Sequence, residues 1–236
     1  MFNLCILQAG PINKDLILDY PSYDQMFSLL LKDKIKDWNV NVFNIYEDIF
    51  PQDLAYYNGF IITGSAYGVY ENHKWIKKLF DIINKIVKFK IPLLGICFGH
   101  QAIAQALGGH VTKSSKGWGI GIKEITTKKY SSLLGNFKKL NLIFFHQDQV
   151  VKLPKEAELL ASNSFCDIAS FSIGDTVLTL QAHPEFNNDF SLRLLEARKS
   201  NIEPLTYVEA VNELKTFDHD GELITPNIIK FLKHKC

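Results

Sequence analysis

The sequence predicts an α/β fold with a mostly parallel central sheet flanked by helices. Short apolar runs alternate with amphipathic helical stretches through the first half of the chain. Those runs are apolar nearly throughout, as strands covered on both faces are, rather than at every second residue. Several close on Gly, which lets a chain leave a strand sharply.

In chain order, residues 2–8 form an apolar run that stops at Ala9-Gly10-Pro11, which predicts a buried first strand and a turn. Ser22 and Gln25 stand at capping-box spacing ahead of Met26, Phe27, Leu30, Leu31 and Ile35, so a helix is expected over 22–36. Val, Ile and aromatic residues over 39–46 predict the second strand, and 58–63 the third, ending at Gly64. Residues 71–88 place Ile76, Leu79, Phe80, Ile83, Ile86 and Val87 on one helical face and Lys on the other. A fourth strand is expected over 91–96 and a small-residue helix over 98–107, stopped by Gly108-Gly109. Beyond residue 110 the pattern changes. Runs at 119–127, 141–146, 157–162, 167–173 and 176–181 predict an antiparallel or mixed extension. A helix at about 187–200 follows, and 201–236 is expected to be a helical C-terminal tail with helices at 205–215 and 226–234. With no repeat, low-complexity tract or Pro/Gly/Ser-rich linker, residues 1–236 are expected to form a single domain.

Composition narrows the function classes. Of the 236 residues, 47% are hydrophobic and 22% charged, enough apolar mass for a sizeable core. The 26 basic and 25 acidic residues nearly cancel, so no strong field draws in nucleic acid or an anionic membrane. Arg is scarce: Arg193 and Arg198 are the two in the chain. No apolar run approaches the roughly 20 residues that span a bilayer, and the N-terminus lacks a signal peptide's basic flank. Cys5, Cys97, Cys166 and Cys236 are scattered without a C-x-x-C pair, which argues against structural zinc and for a reducing, cytoplasmic setting.

Three stretches can carry chemistry. Gly95-Ile96-Cys97-Phe98-Gly99-His100-Gln101 lies where a buried strand becomes a helix. A nucleophile on that tight turn faces the helix N-terminus, which favours a thiolate and offers N–H donors to an oxyanion. The plain alternative is a buried strand-end cysteine, the usual fate of free Cys. Gln181-Ala182-His183-Pro184-Glu185 ends another strand. His183 can move the proton that a Cys nucleophile needs, and Glu185 can fix its tautomer; a satisfied loop His is the bland counterpart. Ile61-Ile62-Thr63-Gly64-Ser65 can present the bare N–H of Gly64, or be no more than a turn. His146, ahead of Asp148, competes for the role of base. His100 reads as a packing or surface residue.

Together these motifs, with Phe145-His146-Gln147-Asp148-Gln149-Val150 and Gly117-Trp118-Gly119-Ile120-Gly121, resemble the class I (triad-type) glutamine amidotransferase family. The resemblance runs from the first strand to about residue 200. It is nearest to free-standing members similar to the amidotransferase domain of GMP synthase, a group that includes plant γ-glutamyl peptidases. It implies a flavodoxin-like sheet, Cys97 as nucleophile, His183 as base and then acid, and Glu185 as its orienting carboxylate. It further implies an oxyanion hole from the N–H groups of Gly64 and Phe98, with Gln101 holding the glutamyl moiety. Where many members have Gly-Gly at the oxyanion loop, this chain has Thr63-Gly64, like the GMP-synthase-like variant. The implied reaction passes through a glutamyl thioester and needs no metal and no organic cofactor. The substrate is a small γ-glutamyl amide. The alternatives are a glutaminase subunit with a separate synthase as its protein partner, and an idle amidotransferase-like binding module.

Overall fold

A computed structural model describes residues 1–31, 35–128 and 134–234. Eleven strands are present among them: β1 (Phe2–Gln8), β2 (Trp38–Asn44), β3 (Gly59–Ile62), β4 (Leu93–Ile96), β5 (His110–Lys113), β6 (Gly119–Thr127), β7 (Lys139–His146), β8 (Asp148–Lys152), β9 (Glu158–Ser162), β10 (Ser170–Ile173) and β11 (Val177–Leu180). The helices are α1 (Tyr23–Leu31), α2 (Lys74–Lys88), α3 (Phe98–Ala106), α4 (Asn188–Ala197), α5 (Pro204–Thr216) and α6 (Gly221–Leu232).

Nine strands make one sheet in the order β2-β1-β3-β4-β11-β10-β9-β6-β7. From β2 to β11 all neighbours are parallel, and from β11 to β7 all are antiparallel. The change of pattern near residue 110 is thus a real change of architecture. The chain leaves the parallel half after α3, builds the antiparallel half, and returns through β11 to the middle of the sheet.

Strand periodicity decides which residues face which helices. In β1, Leu4 and Ile6 join one core cluster with Phe27 and Leu31 of α1 and Ile224, Ile228, Phe231 and Leu232 of α6. Cys5 and Leu7, on the opposite face, pack with Ile76, Leu79, Ile83 and Ile86 of α2 and Ile103 of α3. A third cluster packs Phe190, Leu194 and Leu195 of α4 and Leu214 of α5 against Ile120, Ile122, Ile143 and Phe145.

Some boundaries differ from the expectation. The helix expected over 22–36 is seen over Tyr23–Leu31, and residues 32–34 lie outside the described residues, as does Cys236. Half of the capping box is present: the Ser22 N–H donates to Gln25 Oε1 at 3.0 Å, while the Ser22 hydroxyl turns to Asp24 instead. The sequence reading missed β5 and β8, which pair with each other as a separate two-stranded sheet. The last helix begins at Gly221 rather than 226 and carries Pro226 inside it.

The tail packs closely on the rest of the fold. Glu213 of α5 pairs with Lys123 of β6 at 2.7 Å. Asp220 clasps Asn141 of β7 by two hydrogen bonds, its carboxylate accepting from the Asn141 N–H and its own N–H donating to the Asn141 carbonyl, each at 2.7 Å. Gly221 lies so near the Pro184 carbonyl that a Cβ would come within 2.4 Å of its oxygen.

Candidate active site

The three motifs converge at the C-terminal ends of parallel strands β3, β4 and β11, where open α/β sheets bind ligands. Cys97 follows β4 directly and opens α3. Its backbone is strained, with φ 50° and ψ −102°, outside the regions that L residues prefer. Neighbouring contacts hold that conformation. The Cys97 N–H donates to the Leu180 carbonyl at 2.8 Å, and its carbonyl accepts from the Gln101 N–H at 3.1 Å. Both flanking glycines are required by space. A Cβ on Gly95 would meet Ile103 Cδ1 at 2.5 Å and the Gly99 backbone at 2.7 Å, and one on Gly99 would meet the Ile62 carbonyl oxygen at 2.3 Å.

His183 follows β11. Its N–H donates to the Ile143 carbonyl at 2.8 Å, which anchors the turn to β7. Its ring stacks on Phe186 with centroids 3.9 Å apart and planes 10° from parallel. Nδ1 lies 2.7 Å from Glu185 Oε1, both side chains being almost wholly buried, and the ring lies in the field of the Cys97 side chain. Burial alone would lower the pKa of His183, but the charges of Glu185 and Cys97 outweigh it and push it up to about 10.

Gly64 completes the group. A Cβ there would come within 2.8 Å of His183 Cε1 and 3.7 Å of Cys97 Cβ. Thr63 holds this loop in place: its hydroxyl accepts from the Ala9 N–H at 3.0 Å and donates to the Gly64 carbonyl at 3.0 Å. Ser65 donates to the Ala9 carbonyl at 2.8 Å, so the loop is tied to the end of β1. Neither the Gly64 nor the Phe98 N–H finds a protein acceptor among the described residues. Two backbone donors therefore remain open beside the thiol.

A cleft of about 230 Å³ opens over Cys97. Gln101 lines it, but its amide donates to the Asp148 carbonyl at 2.8 Å and to Gln181 Oε1 at 3.0 Å. Both amide protons are thus engaged within the protein, and no described donor reaches its Oε1. On one wall Tyr70 donates to Asp148 Oδ1 at 3.0 Å, bridging the loop after β3 to β8. Sequence reasoning missed this bridge, along with Phe186 and Arg198. Phe186 directly follows the His-Pro-Glu run, so its position was available as a signal.

The other histidines take different parts. His146 lines the cleft with its Nδ1 3.0 Å from the Asp148 carbonyl, so Nδ1 carries the proton and donates. Among the described residues it has no carboxylate partner, and burial pushes it down to about 4. It lacks the orienting acid that His183 has. His100 is a packing residue: it is fully buried, its Nδ1 is 2.8 Å from Thr179 Oγ1, and burial pushes it down to about 3.

These shifts predict a pH profile for stability. Unfolded, each imidazole titrates near 6.5. Below that value the unfolded chain takes up protons that folded His100 and His146 refuse, so stability falls as pH drops from 6.5 toward 4. His183 works the other way: its contribution is complete below 6.5 and is lost as pH rises toward 10. Each group acts with a slope of roughly 1.4 kcal/mol per pH unit inside its window. Thermal melts across about pH 4 to 9 are expected to peak near neutrality. A melting temperature that holds flat from 6.5 to 4.5 refutes the neutral buried pair.

The profile of the glutamine amidotransferase class-I family matches residues 20–193. Gamma-glutamyl peptidase 4 of Arabidopsis thaliana is 37% identical over 185 residues, which cover 75% of this chain and 73% of that protein. The glutamine-hydrolysing GMP synthase of Lactobacillus delbrueckii subsp. bulgaricus is 30% identical over 203 residues, covering 80% of this chain but 36% of that protein. A solved glutamine amidotransferase from Thermotoga maritima superimposes with a TM-score of 0.78 at 20% identity, covering 98% of this chain and 96% of that one. With the family profile matched over most of its length, this chain belongs to the class-I glutamine amidotransferase family.

Proposed function

We propose that this protein hydrolyses a γ-glutamyl amide by covalent catalysis at Cys97. One observation carries the reading: Glu185, His183 and Cys97 form a continuous line of contacts at the strand ends, with the open N–H groups of Gly64 and Phe98 beside the sulfur. His183 takes the proton from Cys97, and Sγ attacks the γ-carbonyl carbon. The resulting oxyanion is held by the two backbone donors. The C–N bond breaks as His183 passes its proton to the leaving nitrogen, and a glutamyl thioester remains. Water then attacks the thioester carbonyl and gives its proton to His183. The C–S bond breaks, and Cys97 recovers the proton as glutamate leaves. The Glu185 carboxylate keeps the imidazole oriented through Nδ1.

The leaving group decides the physiological role. Similarity to a protein named gamma-glutamyl peptidase favours an amino acid or peptide as leaving group. Similarity to part of a GMP synthase favours ammonia passed to a separate synthase. We expect the purified protein to release amine from γ-glutamyl dipeptides faster than it releases ammonia from glutamine. Negligible dipeptide cleavage, with glutaminase activity appearing only when a synthase is added, overturns the peptidase reading. The cytoplasm suits an enzyme whose described cysteines, Cys5, Cys97 and Cys166, are all free thiols. No described helix is long and apolar enough to cross a membrane. One sheet joining strands from both halves of the chain supports treating the chain as one domain.

A further inference from the structure

The charged groups lining the cleft are not matched equally. Glu71 accepts from the Gly68 N–H at 2.7 Å and pairs with His73 at 3.0 Å. Asp148 takes the Tyr70 hydroxyl and lies in the field of Lys113. At the Trp118 end of the cleft stands Arg198, half-buried, with no carboxylate oxygen within ion-pairing distance among the described residues. Its nearest acid in sequence, Glu196, is taken by Tyr207 and Lys199.

Arg198 is also held firmly. It caps the C-terminus of α4, its N–H donating to the Leu194 and Leu195 carbonyls. Its carbonyl accepts from the Asn201 N–H at 2.9 Å in the turn that follows. The guanidinium lies 5.6 Å from the centre of the Phe145 ring. The same turn fixes Trp118, whose indole N–H donates to the Asn201 carbonyl at 2.8 Å, and whose ring meets Phe145 edge-on. A planar cation held near an aromatic ring at the rim of a cleft, with no ion-pair partner among the described residues, is arranged to take a planar anion.

We propose that Arg198 binds a free carboxylate of the substrate. The inference rests on the γ-glutamyl reading above and adds a recognition residue to it. Such a substrate offers two carboxylates of the same chemistry: the α-carboxylate of the glutamyl part, and the C-terminal carboxylate of an amino-acid leaving group.

The test uses the full chain. Arg198→Met is expected to raise KM for γ-glutamylglycine roughly ten- to a hundredfold, the range of a hydrogen-bonded ion pair, with the effect on KM rather than kcat. Arg198→Lys recovers part of the loss, and Lys199→Met at the exposed neighbour changes nothing. Amidating one carboxylate at a time locates the source. If the wild type loses affinity for the glycine amide, and Arg198→Met no longer distinguishes acid from amide, the carboxylate is the leaving group's. The same pattern on amidation of the glutamyl α-carboxyl assigns it there. An unchanged KM in Arg198→Met, or a rise that is the same whichever carboxylate is removed, overturns the proposal. Calorimetric binding of γ-glutamylglycine to Cys97→Ser, with and without Arg198→Met, reads the same contact without turnover. Binding that depends on Arg198 in a wild type that hydrolyses nothing would refute the hydrolase reading alone.

Discussion

Cys97→Ala is expected to abolish hydrolysis while the protein still folds. The expected loss in kcat is roughly 10⁴- to 10⁶-fold, because a reaction routed through a thioester has no route without the sulfur. Cys97 is 6% exposed and its side chain is small, so removing the sulfur leaves a modest gap at the cleft floor rather than a deep core cavity. The strained backbone is held by the Leu180 carbonyl, Gly95 and Gly99, none of which depends on the thiol. Circular dichroism and melting temperature should therefore stay close to the parent. The same assignment predicts that an electrophilic glutamine analogue labels Cys97 ahead of Cys5 and Cys166. Those two are fully buried, and burial pushes both thiols up, Cys166 to about 12. Peptide mass spectrometry reads the label, on a protein carrying Cys236→Ser. Hydrolysis that survives Cys97→Ala, or label found mainly on Cys5 or Cys166, removes Cys97 from the role.

Gly99→Ala should be among the most destabilising single-methyl additions to the site. The new Cβ would sit 2.3 Å from the Ile62 carbonyl oxygen and 2.9 Å from its carbon. Both are backbone atoms of β3, and β3 is paired on both sides, with Ile62 opposite Leu7 of β1 and Gly95 of β4. Relief needs either a shift of that central strand or a tilt of α3 away from it. Either displaces the turn that carries Cys97. A cost of about 3 kcal/mol, the upper range for overpacking, corresponds to a fall in melting temperature of roughly 10 °C for a chain of this size. Gly59→Ala serves as the contrast, since its nearest neighbour would be the end of the Phe2 ring at 3.3 Å, which can turn aside. Melting curves for the two variants check the ranking. A Gly99→Ala protein that melts within about 2 °C of the parent rejects the steric account.

The parallel half was legible because its strands are short, apolar and separated by strongly periodic helices. The α2 face of Ile76, Leu79, Ile83 and Ile86 is an example, and it packs as the spacing implies. The site motifs were legible because glycine spacing reports crowding: Gly95 and Gly99 are demanded by their neighbours' atoms. The β5–β8 pair was hidden by its weak pattern. β5 buries only Val111, and β8 begins two residues after β7 ends, beyond the run at 141–146 where the expected strand stops. The start of α6 was hidden by Pro226, which reads as a helix start and here sits inside one. Arg198 could not be read as a cleft residue, because only the fold brings the end of α4 over Phe145.

The insertion of β11 between β4 and β10 also bears on when the molecule becomes reactive. The bond that pins the Cys97 N–H comes from Leu180, and His183 follows from the same strand. During synthesis or refolding, β1 through α3 can assemble from near neighbours, yet the thiol then sits on an elbow without its clasp or its imidazole. Closing the long loop between β4 and β11 is expected to come late and slowly. With Cys97 as the proposed nucleophile, its reactivity is expected to appear only on completion of the sheet, so the rate at which it appears on refolding should report the arrival of the central strand.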